Sequence, residues 1–165
     1  MLVRSLNAND WKSYRDLRLE ALKLCADRYT GTYAMEAGRS EQDWRDMMSG
    51  EGHQCFGLFD SDRMVGLAAV FTDRSDASGK KAFLASAYIR EDYRGQGYAR
   101  LLYQHRIQWA IDSDRFDLVE VGHRQGNEAS RRANQSFGFE WKGKEVRTFG
   151  DGRMDELHVY EVRLR

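Results

Sequence analysis

The chain has 165 residues, 41% of them apolar and 32% charged, which suits one globular domain with a sizeable core. Lysine plus arginine and aspartate plus glutamate number 26 each, and this zero net charge argues against nucleic acid as the main partner. No apolar run approaches the roughly 20 residues of a membrane-spanning helix, and residues 1–6 lack a signal-peptide pattern, so the expectation is a cytoplasmic protein without a membrane partner.

In chain order, residues 2–6 alternate apolar and polar and predict a strand. Asn9 or Asp10 can cap the helix that follows over residues 10–26, whose apolar face carries Tyr14, Leu17, Ala21 and Leu24. Residues 27–39 are irregular. Ser40 precedes an acidic first turn, Glu41 and Asp43, and starts a short helix to about residue 49. Residues 54–59 and 64–72 predict a hairpin turning at Asp60-Ser61-Asp62. A polar loop over 73–80 leads to a central strand at 82–89. The stretch Arg94-Gly95-Gln96-Gly97-Tyr98-Ala99 then opens a helix whose face is marked by Ala99, Leu102, Tyr103, Ile107 and Ala110, ending near Asp112.

Residues 116–121 predict another strand. Asn127 can cap a helix with Ala129, Ala133 and Phe137 at i, i+4 and i+8, and Gly138 ends it. Strands at 139–148 and 157–164 join around Gly150-Asp151-Gly152. This order predicts one mixed α/β (α+β) domain over residues 1–165, with hairpins rather than an alternating doubly wound sheet. Cys25 and Cys55 show no CxxC spacing and no neighbouring histidine, so free thiols and no metal site are expected; a nucleophilic cysteine is the alternative.

The glycine stretch sits where a strand becomes a helix. A glycine lets a ligand approach bare backbone, and the first helical turn offers N–H groups without intrahelical partners at the positive end of the helix dipole. That combination can cradle a pyrophosphate. The Gly-Lys-Ser/Thr ending of a P-loop is absent, and Arg100 stands where a dinucleotide fingerprint needs its third glycine.

The pattern R/Q-x-x-G-x-G/A is met by Arg94, Gly97 and Ala99. It resembles the acyl-CoA motif of the GCN5-related N-acetyltransferases (GNAT family). The segment NEASRRANQSFGF, with Asn127, Ser130 and Gly138-Phe139, resembles the family's second signature, and the element order matches over nearly the whole chain. The resemblance implies a mostly antiparallel, seven-stranded sheet flanked by about four helices. It also implies a sheet splayed between strands 4 and 5, here 82–89 and 116–121. It implies acetyl-CoA as acyl donor, no metal, a primary amine on a small molecule or peptide as acceptor, and, in many members, a homodimer.

Residue by residue, the resemblance assigns pantetheine to the backbone of Tyr88 and Ile89 and to Asn127 with Ser130 beside it. It assigns the pyrophosphate to Arg94, Gly95, Gln96, Gly97, Tyr98 and Ala99. Arg131 and Arg132 on the later helix could meet the 3′-phosphate, with ordinary exposed arginines as the alternative. An alkyl ammonium has a pKa near 10.4, so a base must take its proton. Glu120 and His123, near the end of the fifth strand, are candidates, and Glu36, in the loop between the first helices, is a third. Tyr33 and Glu36 shape the acceptor pocket; acidic Asp27, Glu36 and Glu41 near its mouth favour a cationic amine.

Many members carry a tyrosine seven residues after the Asn127 position as acid for the leaving thiolate. This chain has Asn134 there, which can donate a hydrogen bond to sulfur but not a proton. Tyr103 and Tyr98 are nearby alternatives for that acid. The main rival to an enzyme is a non-catalytic acyl-CoA-binding regulatory module; a nucleotide-binding domain is the third.

Overall fold

In the computed structural model, which describes residues 1–164, the chain starts with β1 (Leu2–Ser5), α1 (Trp11–Leu24), α2 (Tyr33–Ala37), α3 (Glu41–Met48) and β2 (Ser49–Gly50). It continues with β3 (His53–Asp60), β4 (Arg63–Thr72), β5 (Lys81–Ile89), α4 (Tyr98–Asp112) and β6 (Leu118–Arg124). It ends with α5 (Glu128–Ser136), β7 (Glu140–Thr148) and β8 (Met154–Arg163). The sheet order is β1-β3-β4-β5-β6-β8-β7, with β2 beside β3. Every pairing is antiparallel except β5 with β6. The mixed, mostly antiparallel sheet expected from the sequence is therefore present. It has eight strands because the two-residue β2 adds a short pairing, and a fifth helix because residues 33–37 are helical.

Local chemistry explains the differences. Thr32 caps α2 by accepting the Met35 N–H on its hydroxyl at 3.2 Å, inside the stretch expected to be irregular. Asp10 holds the N-cap position of α1 without a side-chain cap bond, and the side-chain cap comes from Asn7, at the head of the preceding turn. Asn7 Oδ1 accepts the Asn9 N–H and Asp10 Oδ2 accepts the Asn7 N–H, each at 2.9 Å, around a 3₁₀ turn that runs into α1. Ser40 and Asp43 form the same reciprocal box at the start of α3. Phe116 is fully buried but precedes β6, so its apolar character marks core rather than strand.

Strands β3 and β4 are buried along most of their length, which requires cover on both faces. On one face, α4 supplies Leu102, Tyr103 and Ala110 to a core with Phe56, Leu58, Val65 and Val119. On the other, α1 and α3 supply Tyr14, Leu17, Trp44 and Met48 against Cys55, Leu67 and Ala69. β5 lies between these layers and hands the chain to α4. No helix among the described residues is long and apolar enough to cross a membrane.

Candidate active site

The parallel ladder between β5 and β6 lasts three rungs: Lys81 with Leu118, Ala82 with Val119 and Phe83 with Glu120. β6 stays paired with β8 over its whole length, so the two strands part beyond Phe83 while each remains ordered. On its other side, β5 is bulged. Leu67 faces Tyr88 and Ala69 faces Ala85, leaving Ser86 and Ala87 opposite Ala68. Ser86 takes φ +61°, a left-handed backbone that costs a serine on the order of 1 kcal/mol. Tyr29 Oη donates to the Ala87 carbonyl at 2.8 Å and helps hold the bulge. Arg106 reaches the Ala85 carbonyl from α4 at 3.5 Å and lies over the Tyr103 ring at 4.8 Å. Burial pulls the Arg106 guanidinium down to about 10, so it stays charged at neutral pH.

After β5, a 3₁₀ turn over Glu91–Tyr93 leads into the glycine stretch. Arg94 Nε donates to the Ile89 carbonyl at 2.7 Å and its guanidinium lies over the Tyr88 ring at 5.6 Å. Gln96 Nε2 donates to the Asp92 carbonyl at 3.1 Å. These two side chains brace the loop. Gly95 and Gly97 have φ +73° and +86°, and a Cβ on either would meet nothing within 4 Å. Gly97 is the N-cap of α4, and no side chain bonds the helix's first turn. N–H groups at a dipole's positive end therefore face open space. Tyr98 is half-buried and Ala99 exposed at that start. Tyr88 and Ile89 pair with Leu67 and Gly66 of β4, on the edge away from β6.

Helix α5 stands beyond the parted strands. Asn127 Oδ1 accepts the Ser130 N–H at 3.2 Å, the N-cap expected from sequence, and Gly138 closes the helix with φ +80°. Asn134 is fully buried. Its Oδ1 accepts a hydrogen bond from Tyr103 Oη, while its Nδ2 is buried without a partner. Leaving such a donor unmet costs roughly 1–3 kcal/mol. Burial raises the pKa of Tyr103, which keeps its phenol protonated. Arg131 is engaged by Glu128 at 2.7 Å.

A cleft of about 680 Å³ opens along β5 and β6 and is bordered by Arg18, Tyr29, Ser86, Lys81, Glu120 and the β7–β8 hairpin. Glu120 sits at the last rung before the strands part and accepts from Lys81 Nζ at 3.0 Å. That hydrogen bond raises the pKa of Lys81. His123 lies three residues further on and also borders the cleft, although the pleat sets its side chain opposite to that of Glu120. There Nδ1 donates to the Arg124 carbonyl at 2.8 Å, which makes Nε2 the acceptor for the Tyr160 hydroxyl at 3.1 Å. The ring stacks on His158 at 5.5 Å.

Glu36 is buried behind the cleft wall, gripped by Arg18 and reached by Arg39 at 3.1 Å. Tyr33 is 48% exposed, and neither it nor Glu36, Asp27 or Glu41 borders the cleft. Arg18, Tyr29, Lys81 and Ser86 belong to no motif in the sequence. The run of small residues Ala85-Ser86-Ala87 was the one local signal for the bulge. Among the described residues, no group of three or more His, Cys, Asp or Glu could hold a metal.

The model of the acetyltransferase (GNAT) family matches residues 18–139. Similar folds include yncA, a putative acetyltransferase from Salmonella typhimurium solved with its cofactor acetyl-CoA. Its TM-score is 0.83 at 18% identity, over 100% of this chain and 94% of that one. A ribosomal-protein-alanine N-acetyltransferase from Brucella melitensis gives 0.79 at 21% identity, over 99% and 100%. RimL, a ribosomal L7/L12 alpha-N-protein acetyltransferase solved with coenzyme A, gives 0.76 at 13% identity, over 98% and 92%. No curated protein matches the sequence.

Proposed function

The chain belongs to the acetyltransferase (GNAT) family, and we propose that it transfers an acetyl group from acetyl-CoA to a primary amine by direct attack in a ternary complex. The observation that carries this reading is the uncapped α4 N-terminus, led by two open glycines, at the end of the strand that parts from β6. The backbone of residues 95–99 would hold the pyrophosphate. The β6-facing edge of β5 near Tyr88 and Ile89 would bond the pantetheine amides as an added strand does. Asn127 and Ser130 would form the α5 wall. The unmet Nδ2 of Asn134 supports the same occupant independently.

When bound, acetyl-CoA supplies a thioester carbonyl carbon for the amine and a thiolate that departs. Glu120, at the apex of the parted strands, takes one ammonium proton, directly or through water, and passes it to solvent. The C–N bond forms as the C–S bond breaks, and the second proton leaves the nitrogen to neutralise the thiolate. Asn134 Nδ2 donates a hydrogen bond to the departing sulfur, its amide oriented by Tyr103. His123 is the second base candidate, with its Nε2 engaged by Tyr160. The two buried, free cysteines suit a reducing, cytoplasmic setting.

Thiol release from acetyl-CoA with a panel of amines tests this reading. The expected result is amine-dependent release that Glu120→Gln lowers by roughly 10²-fold or more in kcat, with acetyl-CoA affinity retained. Acetyl-CoA binding without turnover of any amine would instead favour the regulatory module.

A further inference from the structure

We infer that the acceptor amine also carries a carboxylate, held on the free edge of the Arg18 guanidinium; this rests on the acetyltransferase reading above. Arg18 lies on α1 and is 6% exposed. Its Nε and Nη2 donate to the two oxygens of Glu36 at 3.1 and 3.0 Å. A guanidinium is a planar fork, so this grip uses one edge and leaves Nη1 on another. Nη1 is buried and has no hydrogen-bond partner. Arg18 borders the cleft and Glu36 does not, and the guanidinium lies over the ring of Tyr29, another cleft residue, at 4.7 Å.

The rest of the wall suits an anion. Six cationic residues border the cleft against three acidic ones, Asp73, Glu120 and Glu145. Lys142 and Lys144 lean on Glu161 and Glu156 outside it, and Lys81 is taken by Glu120 and Asp73. Arg147 is held at Nε and Nη2 by Glu145, and Arg28 makes no ion pair among the described residues; both are exposed, and Arg18 is the buried one of the three. Thr30 and Ser86 add hydroxyl donors. Glu120 at the apex gives Oε2 to Lys81, which leaves Oε1 for an ammonium, and Arg18, which borders the same cleft as Ser86, suits a carboxylate. An amino-acid-like zwitterion presents both charges at once. The acidic residues that favour a purely cationic amine in the sequence lie outside this cleft.

The test compares the standard amino acids with their amides and their decarboxylated amines, on protein whose acetyl-CoA binding is measured separately. The expected kcat/KM favours the acid over its amide by roughly 10- to 100-fold, the worth of one charge-assisted contact. Equal turnover of acid and amide, or silence across the carboxylates on protein that binds acetyl-CoA, overturns the inference and leaves the acetyl-CoA site standing. Protein that fails to bind acetyl-CoA overturns both. Preference for taurine or 2-aminoethylphosphonate over β-alanine overturns the carboxylate assignment. Arg18→Lys keeps a charge for Glu36 but lacks a second edge, so it should erase the acid preference. An equal loss for acid and amide would mark a purely structural role. If that variant does not fold, the ratio in the unaltered protein decides.

Discussion

Replacing Gly97 with alanine separates a tight turn from a ligand cradle. Gly97 has φ +86° and ψ 3°, and a methyl group there would meet nothing within 4 Å. The cost to folding is therefore backbone strain alone, roughly 1–2 kcal/mol. In a chain of this size 1 kcal/mol moves the melting temperature by roughly 2–4 °C, so Gly97→Ala should melt about 2–8 °C lower. Gly152, in the β7–β8 turn, has φ +81° and the same open surroundings. Gly152→Ala thus carries matched strain at a position that borders no cleft. Only Gly97→Ala places a methyl group where a pyrophosphate would lie against the α4 N–H groups. Its acetyl-CoA affinity should fall at least tenfold, about 1.4 kcal/mol, while Gly152→Ala binds normally. Calorimetric titration beside thermal melts reads both quantities. A Gly97→Ala protein that melts lower yet binds acetyl-CoA as tightly as the parent would refute the cradle.

Three further outcomes are expected. Asn134→Ala should lower kcat roughly tenfold or more, with little change in acetyl-CoA affinity, measured by steady-state thiol release. Glu20 is held below the usual carboxyl range chiefly by the hydrogen bond from Arg90, with Tyr88 assisting. A lowered carboxyl pKa adds stability above the unfolded value near 4.3 that is lost as pH falls through the folded value. Denaturant melts between pH 6 and 3 should show that loss, and Glu20→Gln should flatten it. Burial pushes the Cys55 thiol up to about 12, so it should resist Ellman's reagent in the native protein at pH 8 and react once unfolded.

Features written in local chemistry were legible in the sequence. Ser40 with Asp43, Asn127 before α5 and Gly138 after it each act through a neighbour within a few residues. The turn at Gly95 and Gly97 was legible because side-chain-free backbone at a strand-to-helix junction has few other uses. The acceptor side was not. Arg18 meets Glu36 across 18 residues, and Lys81 meets Glu120 across 39, contacts that only the folded sheet creates. The β5 bulge depends on register against β4, which no single strand encodes. Alternation along β6 does set Glu120 and His123 on opposite faces, and a stricter strand boundary would have exposed that. Phe116 hid the boundary, because a buried aromatic before a strand looks like its first residue.

The most direct measurement is calorimetric titration of the purified protein with acetyl-CoA, with NAD and ATP as controls. The expected result is saturable acetyl-CoA binding in the micromolar range, with NAD and ATP silent. Folded protein that gives no acetyl-CoA signal would contradict it, and the glycines before α4 would then serve only the turn.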